Sequence, residues 1–245
     1  MEVSGARGEL KRWQGIFMGL VDAGVADLSP ALTFCFCWLQ KACPSEVTTS
    51  LIHGDFRIGN VIVSPEGRLL SVLDWEMAHI GDAMEDLGWL MAGAWRFNRP
   101  ALEVGGVGTK AQLLEAYTAA GGQVDAGRLK WWEVMANVKW AVICHMMGAA
   151  GRAGGEPERV AVGRRASEGE MDALVSVVGL EALRGVVVPT AGPSDPLLGA
   201  AGRMLTEEVV PAAQGRAAHL GRVAANLVAT AGRERVLGPG RAERE

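Results

Sequence analysis

Three polar side chains with the chemistry of a phosphoryl-transfer site lie close together in the sequence. Asp55 and Asn60 belong to the stretch HGDFRIGN, residues 53–60, and Asp74 opens the later motif DWE. Phosphoryl transfer needs a carboxylate that orients and deprotonates the attacking hydroxyl, and oxygen ligands that hold magnesium against the nucleotide phosphates. Asp55 suits the first role. Asn60 and Asp74 suit the second, because magnesium binds few protein oxygens and completes its shell with water and phosphate.

A short hairpin is expected to carry Asp74 back toward Asn60. Val61–Val63 and Leu69–Leu73 are β-prone runs, and the segment SPEGR between them contains the proline and glycine of a turn. One loop can present both Asp55 and Asn60 to a cleft, and Asp74 follows the returning strand. The loop and the hairpin together are therefore the predicted catalytic element.

Most of the remaining chain has helical patterns. Apolar spacing, a Ser-Pro helix start and a Thr/Gln capping box predict helices over Glu9–Val25, Ser29–Lys41, Asp82–Trp95, Thr109–Ala120, Asp125–Met147, Pro157–Leu183, Leu197–Pro211 and Ala217–Arg233. Leu51 and Ile52 are expected to lead into the catalytic loop. A Pro- and Gly-containing break predicts two domains, residues 1–188 and a small helical domain at 189–245 with a frayed tail. The expected class is α+β, mostly α-helical.

The composition excludes several classes of protein. With 49% hydrophobic and 21% charged residues the chain is globular, and a net charge of -4 with five scattered lysines predicts no nucleic-acid partner. The polar N-terminus and the lack of an apolar run of roughly 20 residues predict neither export nor a membrane anchor. Four cysteines suit the reduced core thiols of a cytoplasmic protein. A zinc site at Cys35, Cys37 and Cys43 would need a fourth ligand.

The two motifs resemble those of the aminoglycoside phosphotransferase and choline kinase superfamily, whose catalytic loop reads HGDxxxxN and whose metal motif reads DWE or DFE. The resemblance covers about residues 5–180. It is strongest to the bacterial branch akin to the kinase domains fused to some acyl-CoA dehydrogenases, because His53–Leu90 reads continuously like that branch. It implies a protein-kinase-like C-terminal lobe with a short β-hairpin at the catalytic loop.

The resemblance also implies roles for individual residues. Asp55 would be the catalytic base, and Asn60 and Asp74 would bind Mg²⁺, with ATP as the phosphoryl donor. Asp86 would brace the catalytic loop through hydrogen bonds to its backbone. His53 and Arg57 would be supporting residues.

The segment before the loop departs from this family pattern. Complete enzymes of this kind carry a strand-rich N-terminal lobe with a phosphate-covering loop and a lysine on a strand. The 54 residues before Asp55 read as helices and contain only Lys11 and Lys41. We therefore expect the N-terminal lobe to be absent, activity of the chain alone to be impaired, and another chain to supply or cover the nucleotide lobe.

Three functions are compatible with the motifs. The leading one is an ATP- and magnesium-dependent transferase acting on a hydroxyl of a small molecule, with a hydroxyacyl or other metabolic acceptor favoured by the branch resemblance. The second is a non-catalytic kinase-like scaffold or subunit. The third is a transition-metal hydrolase with ligands from His53, Asp55, Asp74 and His79.

Other residues have two interpretations each. Glu76 and Asp82 either flank the metal site or cap the helix expected from Asp82. Five residues of one long helix either line an acceptor pocket or pack in the core, which is the default for aromatic residues at helical spacing: Trp131, Trp132, Trp140, His145 and Met146.

The C-terminal segment carries a second resemblance. Residues 196–239 resemble a small uncharacterised helical domain found beside or fused to bacterial phosphotransferases, with EEVVP (207–211) and His219–Leu227 as the matching stretches. Its amphipathic helices would need a partner surface, so a docking role is a hypothesis.

Overall fold

The computed structural model describes residues 4–45, 49–97, 99–154, 156–183 and 196–215, with residues 217, 221, 222, 224, 225 and 228. The chain divides into two compact units. Unit 1 is Met1–His145 with Ala166–Leu183, and unit 2 is Met146–Arg165 with Arg184–Glu245. The predicted boundary near residue 190 lies outside the described residues, as does much of the predicted helix Ala217–Arg233.

Two helices precede the first strand, as predicted. Helix α1 (Ala6–Asp22) buries one apolar stripe that includes Trp13 and Phe17. Helix α2 (Pro30–Lys41) begins after Ser29, whose Oγ accepts the backbone N–H of Leu32 at 3.2 Å. This cap satisfies an N–H group that has no partner within the helix, which explains why the helix starts there.

Within the described residues, four short strands form two antiparallel pairs: β1 (Thr49–Ile52), β2 (Val61–Val63), β3 (Leu69–Val72) and β4 (His79–Asp82). The β2–β3 pair is the predicted hairpin, with Val61 opposite Val72. The β1–β4 pair was not predicted, and it places Ile52 opposite His79. It encloses the loop and the hairpin, so both ends of the catalytic segment are tied together.

The other elements are helical. They are α3 (Met84–Leu90), α4 (Lys110–Ala119), α5 (Ala126–Arg152), α6 (Pro157–Gly163), α7 (Ala166–Val178), α8 (Pro196–Met204) and α9 (Val210–Ala212). Helix α4 begins with the predicted capping box of Thr109 and Gln112. The single helix predicted over Pro157–Leu183 is instead α6, α7 and a 3₁₀ turn at Leu180–Leu183. A π turn at Leu205–Val209 separates α8 from α9.

The helix predicted from Asp82 to Trp95 is shorter than expected. Asp82 is fully buried at the end of β4, where its Oδ1 accepts the Met84 N–H at 3.1 Å and its Oδ2 accepts the Trp132 indole N–H at 3.0 Å. These bonds make Asp82 a structural residue that starts α3 two residues later. Helix α3 ends at Leu90, and Gly93–Trp95 forms a separate 3₁₀ turn.

Helix α5 provides much of the core of unit 1. Trp131 and Trp132 are 1% and 2% exposed, and the Trp131 indole donates to the Leu39 carbonyl at 2.9 Å. These two tryptophans are therefore core residues. Gly88 of α3 packs against this helix so closely that a Cβ would lie 2.7 Å from the Trp132 carbonyl carbon.

The cysteines are free, and their placement differs in part from the prediction. Cys35 and Cys144 are buried, whereas Cys37 is exposed and Cys43 is half-buried, so core placement was wrong for Cys37. Burial raises the pKa of the Cys35 thiol to about 12.

Among the described helices, none is long and apolar enough to cross a bilayer.

Candidate active site

Asp55 lies at the centre of a hydrogen-bonded loop. Its Oδ1 accepts the Trp89 indole N–H at 2.7 Å. Its Oδ2 accepts Asn60 Nδ2 at 2.8 Å and Arg57 Nε at 3.1 Å. The carboxylate remains 19% exposed, so three donors fix its orientation without removing it from solvent. A carboxylate held in this way is preorganised to accept a proton from a hydroxyl group.

Asn60 is bonded so that its amide oxygen is the atom suited to a cation. The Nδ2 group donates to both the backbone oxygen of Asp55, at 2.9 Å, and its carboxylate. An amide nitrogen carrying two hydrogens is not a metal ligand, whereas the Oδ1 atom is one. Asn60 is 5% exposed, so its orientation is set within the fold.

The hairpin brings Asp74 to the same end as Asn60. The N–H of Leu73 donates to the Asn60 carbonyl at 2.8 Å, and Asp74 is the next residue. Asp74 is exposed and has φ 68° and ψ 54°, a left-handed conformation that is uncommon outside glycine. Such conformations concentrate at functional sites. Two oxygen donors, one amide and one carboxylate, fit what Mg²⁺ requires of a protein.

His53 links the loop to the hairpin. Its Nε2 lies 2.7 Å from the Leu73 carbonyl, and its Nδ1 accepts the Asp55 backbone N–H at 3.2 Å. This pair of contacts fits the tautomer protonated at Nε2. The ring also packs against the tilted Trp75 ring, with the two ring centres 4.7 Å apart, so His53 acts as a structural bridge between the Asp55 and Asp74 segments.

Asp86 binds the backbone of the same loop. Its Oδ2 accepts the His53 N–H at 2.7 Å, and its Oδ1 accepts the Gly54 N–H at 3.0 Å. Burial raises the pKa of Asp86, and the two N–H donors oppose that effect. Gly54 has φ +83°, and a Cβ there would lie 2.6 Å from the Met77 carbonyl oxygen, so only glycine fits between the two segments.

Arg57 lies beside Asp55 and packs over the ring of Trp95. Its guanidinium carbon is 5.4 Å from the centre of the Trp95 ring, and Gly59 leaves room for the same group. The Arg57 side chain is 33% exposed. The cation therefore borders the solvent-facing side of Asp55, where it can meet an anionic group.

The histidines of the alternative hydrolytic site are engaged elsewhere. His79 Nδ1 lies 3.0 Å from the Met77 carbonyl, and His79 Nε2 lies 3.2 Å from Glu85 Oε2. Both ring nitrogens of His53 also have partners. Within the described part of the chain, no three His, Cys, Asp or Glu side chains are grouped as metal ligands. These contacts argue against a transition-metal site at His53, Asp55, Asp74 and His79.

Two residues near Asp55 were not singled out from the sequence as site residues. Trp89 donates to Asp55, and Lys139 of α5 donates from Nζ to the Gly54 carbonyl at 2.9 Å. A lone lysine in the apolar stretch VMANVKWAVIC was the available signal. Its partner could not be found from sequence, because 85 residues separate Lys139 from Gly54.

Comparison with known proteins identifies the family. The model of the family described as "Phosphotransferase enzyme family" matches residues 7–132, just over half of the chain. The chain belongs to this phosphotransferase family. The match includes the catalytic loop, the hairpin, Asp74 and Asp86.

The curated relatives that the chain matches are much longer proteins. The chain is 31% identical over 99 residues to the probable acyl-CoA dehydrogenase IBR3 of Arabidopsis thaliana, which is 36% of this chain and 12% of that protein. It is 41% identical over 61 residues to mouse acyl-CoA dehydrogenase family member 10 and 43% identical over 60 residues to human member 11. Those matches cover 24% of this chain in each case, and 6% and 8% of the relatives.

A solved structure shows the same phosphotransferase fold. A Ralstonia eutropha protein, named provisionally as an aminoglycoside phosphotransferase, superposes with a TM-score of 0.59 and 22% identity. The superposition covers 72% of this chain and 56% of that one. The mostly helical, kinase-like fold expected from the sequence is therefore confirmed.

Proposed function

We propose that this chain carries the catalytic loop and the magnesium ligands of a kinase that transfers a phosphoryl group from ATP to a hydroxyl of a small molecule. The observation that carries the proposal is the bonding of Asp55. Its carboxylate is fixed by Trp89, Arg57 and Asn60 yet remains open to solvent on one side. This is the geometry required of a base that receives a proton from an attacking hydroxyl.

Each neighbouring residue has a defined task in this proposal. Asp55 orients the acceptor hydroxyl and takes its proton as the bond to phosphorus forms. Asn60 Oδ1 and the Asp74 carboxylate would hold Mg²⁺, which neutralises charge on the phosphates when bound. Arg57 faces the charge that develops on the transferred group, and His53 and Asp86 keep the loop in place.

The β2–β3 hairpin has an exposed apolar face that a nucleotide-binding lobe could cover. Its apolar side chains are exposed: Val63 is 56% exposed, Leu69 is 62% and Leu70 is 61%. Adjoining exposed apolar residues mark interaction sites. We propose that a nucleotide-binding lobe, from another segment or another chain, covers this face and positions the triphosphate.

The acceptor class is proposed from the relatives. Proteins named as acyl-CoA dehydrogenases match 60 to 99 residues of this chain. Hydroxylated acyl compounds, including hydroxyacyl thioesters, are therefore the first acceptors to test.

Calorimetric titration with ATP and magnesium tests the metal site. The wild type is expected to bind magnesium nucleotide, and Asp74→Asn is expected to lose at least about tenfold in affinity, since a neutral amide replaces a charged ligand. Asp27→Asn, an exposed loop position, is the matched control. Equal binding by wild type and Asp74→Asn would contradict the assignment of this ligand.

Turnover with a screen of hydroxylated acceptors tests the base. Asp55→Asn is expected to lower kcat about 10²- to 10⁴-fold while nucleotide binding is retained. Binding without turnover of any acceptor, with a nucleotide lobe supplied in trans, would favour the alternative of a non-catalytic kinase-like subunit.

A further inference from the structure

Lys139 contacts the catalytic loop from the side opposite to solvent. It lies in the middle of α5, is 6% exposed, and donates from Nζ to the Gly54 carbonyl at 2.9 Å. Because the side chain is almost wholly buried and its Nζ is bonded to the loop backbone, we expect its effect on catalysis to pass through the residues that Lys139 contacts.

The peptide group between Gly54 and Asp55 is held at both of its polar atoms. Lys139 binds its carbonyl oxygen, and His53 Nδ1 accepts its N–H at 3.2 Å. Asp86 holds the preceding N–H, that of Gly54. Because Gly54 has no side chain and φ +83°, its backbone would otherwise be free to rotate and to carry Asp55 with it.

A second contact of Lys139, with the Trp89 ring, connects it indirectly to the Asp55 carboxylate. The Lys139 Nζ lies 4.5 Å from the centre of the Trp89 ring, and the indole N–H of Trp89 donates to Asp55 Oδ1 at 2.7 Å. A cation over an indole face is attracted to the ring and restricts its position. Lys139 therefore supports Asp55 through its backbone and through one of its three side-chain donors.

Several carboxylates around Lys139 offset part of the cost of burying its charge. Burial lowers the pKa of Lys139, and the carboxylates of Glu85, Glu9, Asp55 and Asp86 oppose that effect. Glu9 is fixed in turn by the Trp13 indole at 3.0 Å, and the Trp13 ring centre lies 5.6 Å from Lys139 Nζ. A buried cation with several carboxylates around it is costly to replace, because removing it leaves those charges uncompensated.

We infer that Lys139 is a positioning residue for phosphoryl transfer, acting on Asp55 through the Gly54 carbonyl and Trp89. The inference rests on the proposed function for its catalytic consequence. Its structural consequence, a fixed orientation of the peptide between Gly54 and Asp55, can be measured separately.

The test compares Lys139→Met, which keeps length but not charge, with Lys139→Arg, which keeps the cation. Lys130→Met is the matched control, since Lys130 is an exposed lysine of the same helix whose Nζ bonds the Ser176 carbonyl at 2.5 Å. In the full chain, ¹H–¹⁵N spectra follow the Asp55 amide and the Trp89 indole. Both signals are expected to shift in Lys139→Met, with about tenfold faster exchange of the Asp55 amide, and not in Lys130→Met.

Kinetics supply the catalytic measurement. With an accepted hydroxyl substrate, Lys139→Met is expected to lower kcat about tenfold to hundredfold with KM changed by less than about twofold, and Lys139→Arg is expected to restore most of kcat. An unchanged kcat in Lys139→Met would overturn the inference. Should Lys139→Met fail to fold, Lys139→Leu, which also removes the charge and the N–H donor, takes its place with the same criteria.

The two proposals fail in different ways. If the wild type turns over no acceptor even with a nucleotide lobe supplied in trans, the proposed function fails, and the spectra still decide the position of Asp55. Unchanged Asp55 and Trp89 signals in Lys139→Met, or equal shifts in Lys130→Met, would refute the positioning role.

Discussion

Replacement of Asp86 by alanine removes both hydrogen bonds that hold the start of the catalytic loop. The carboxylate accepts the His53 N–H at 2.7 Å and the Gly54 N–H at 3.0 Å. Both residues are buried, and His53 is only 2% exposed, so bulk water has little access to the two N–H groups. The variant therefore leaves two backbone donors without partners inside unit 1.

The magnitude follows from these two donors. Each buried N–H left without a partner costs about 1–3 kcal/mol. Burial raises the pKa of Asp86, which means that the native carboxylate itself bears a desolvation cost that alanine removes. We therefore expect Asp86→Ala to lower the free energy of unfolding by about 3 kcal/mol, in the lower half of the summed range of about 2–6 kcal/mol.

Tryptophan fluorescence during urea unfolding measures this change. All eight tryptophans lie between residues 13 and 140, in unit 1, so the signal reports that unit. The urea midpoint should fall with an unchanged m-value. Asp27→Ala, at an exposed loop position, is expected to change stability by less than about 0.5 kcal/mol. A loss under about 1 kcal/mol in Asp86→Ala, or an equal loss in Asp27→Ala, would refute this account of the loop.

Two further predictions concern the contacts around the loop. Gly54→Ala should destabilise unit 1 by about 2 kcal/mol more than Gly24→Ala in the same urea assay, because both glycines have positive φ but only Gly54 would place a Cβ 2.6 Å from a carbonyl oxygen. Similar losses in the two variants would contradict the steric argument. The hydrogen bond to Glu85 raises the pKa of His79 from 6.5 to about 9, so its stabilisation is full below about pH 6.5 and is lost as the pH rises through about 9. Unfolding free energies measured across this window should fall more steeply for wild type than for His79→Gln, and equal slopes would count against the pair.

The sequence alone determined the local elements whose signals are short in range. Ser29 with Pro30 marked the start of α2, and the Thr109 and Gln112 pair marked the start of α4, because capping bonds join residues three positions apart. The hairpin was predictable for the same reason, since its turn and both strands lie within residues 61–72. The motifs that identify the family were also continuous stretches.

Only the tertiary structure decided which distant residues meet at Asp55. The strand pair β1–β4 joins residues about thirty positions apart, and strands of four residues carry too little alternation to be recognised. Asp82 was predicted either to flank the metal site or to cap the following helix, and the structure shows it buried and bonded to the Met84 N–H and to Trp132 of α5. Lys139 and Trp89 reach the loop from α5 and α3, because packing of the helices brings their side chains to one point. Contacts of this kind depend on how whole helices and strands pack against each other. Short sequence patterns therefore do not predict them.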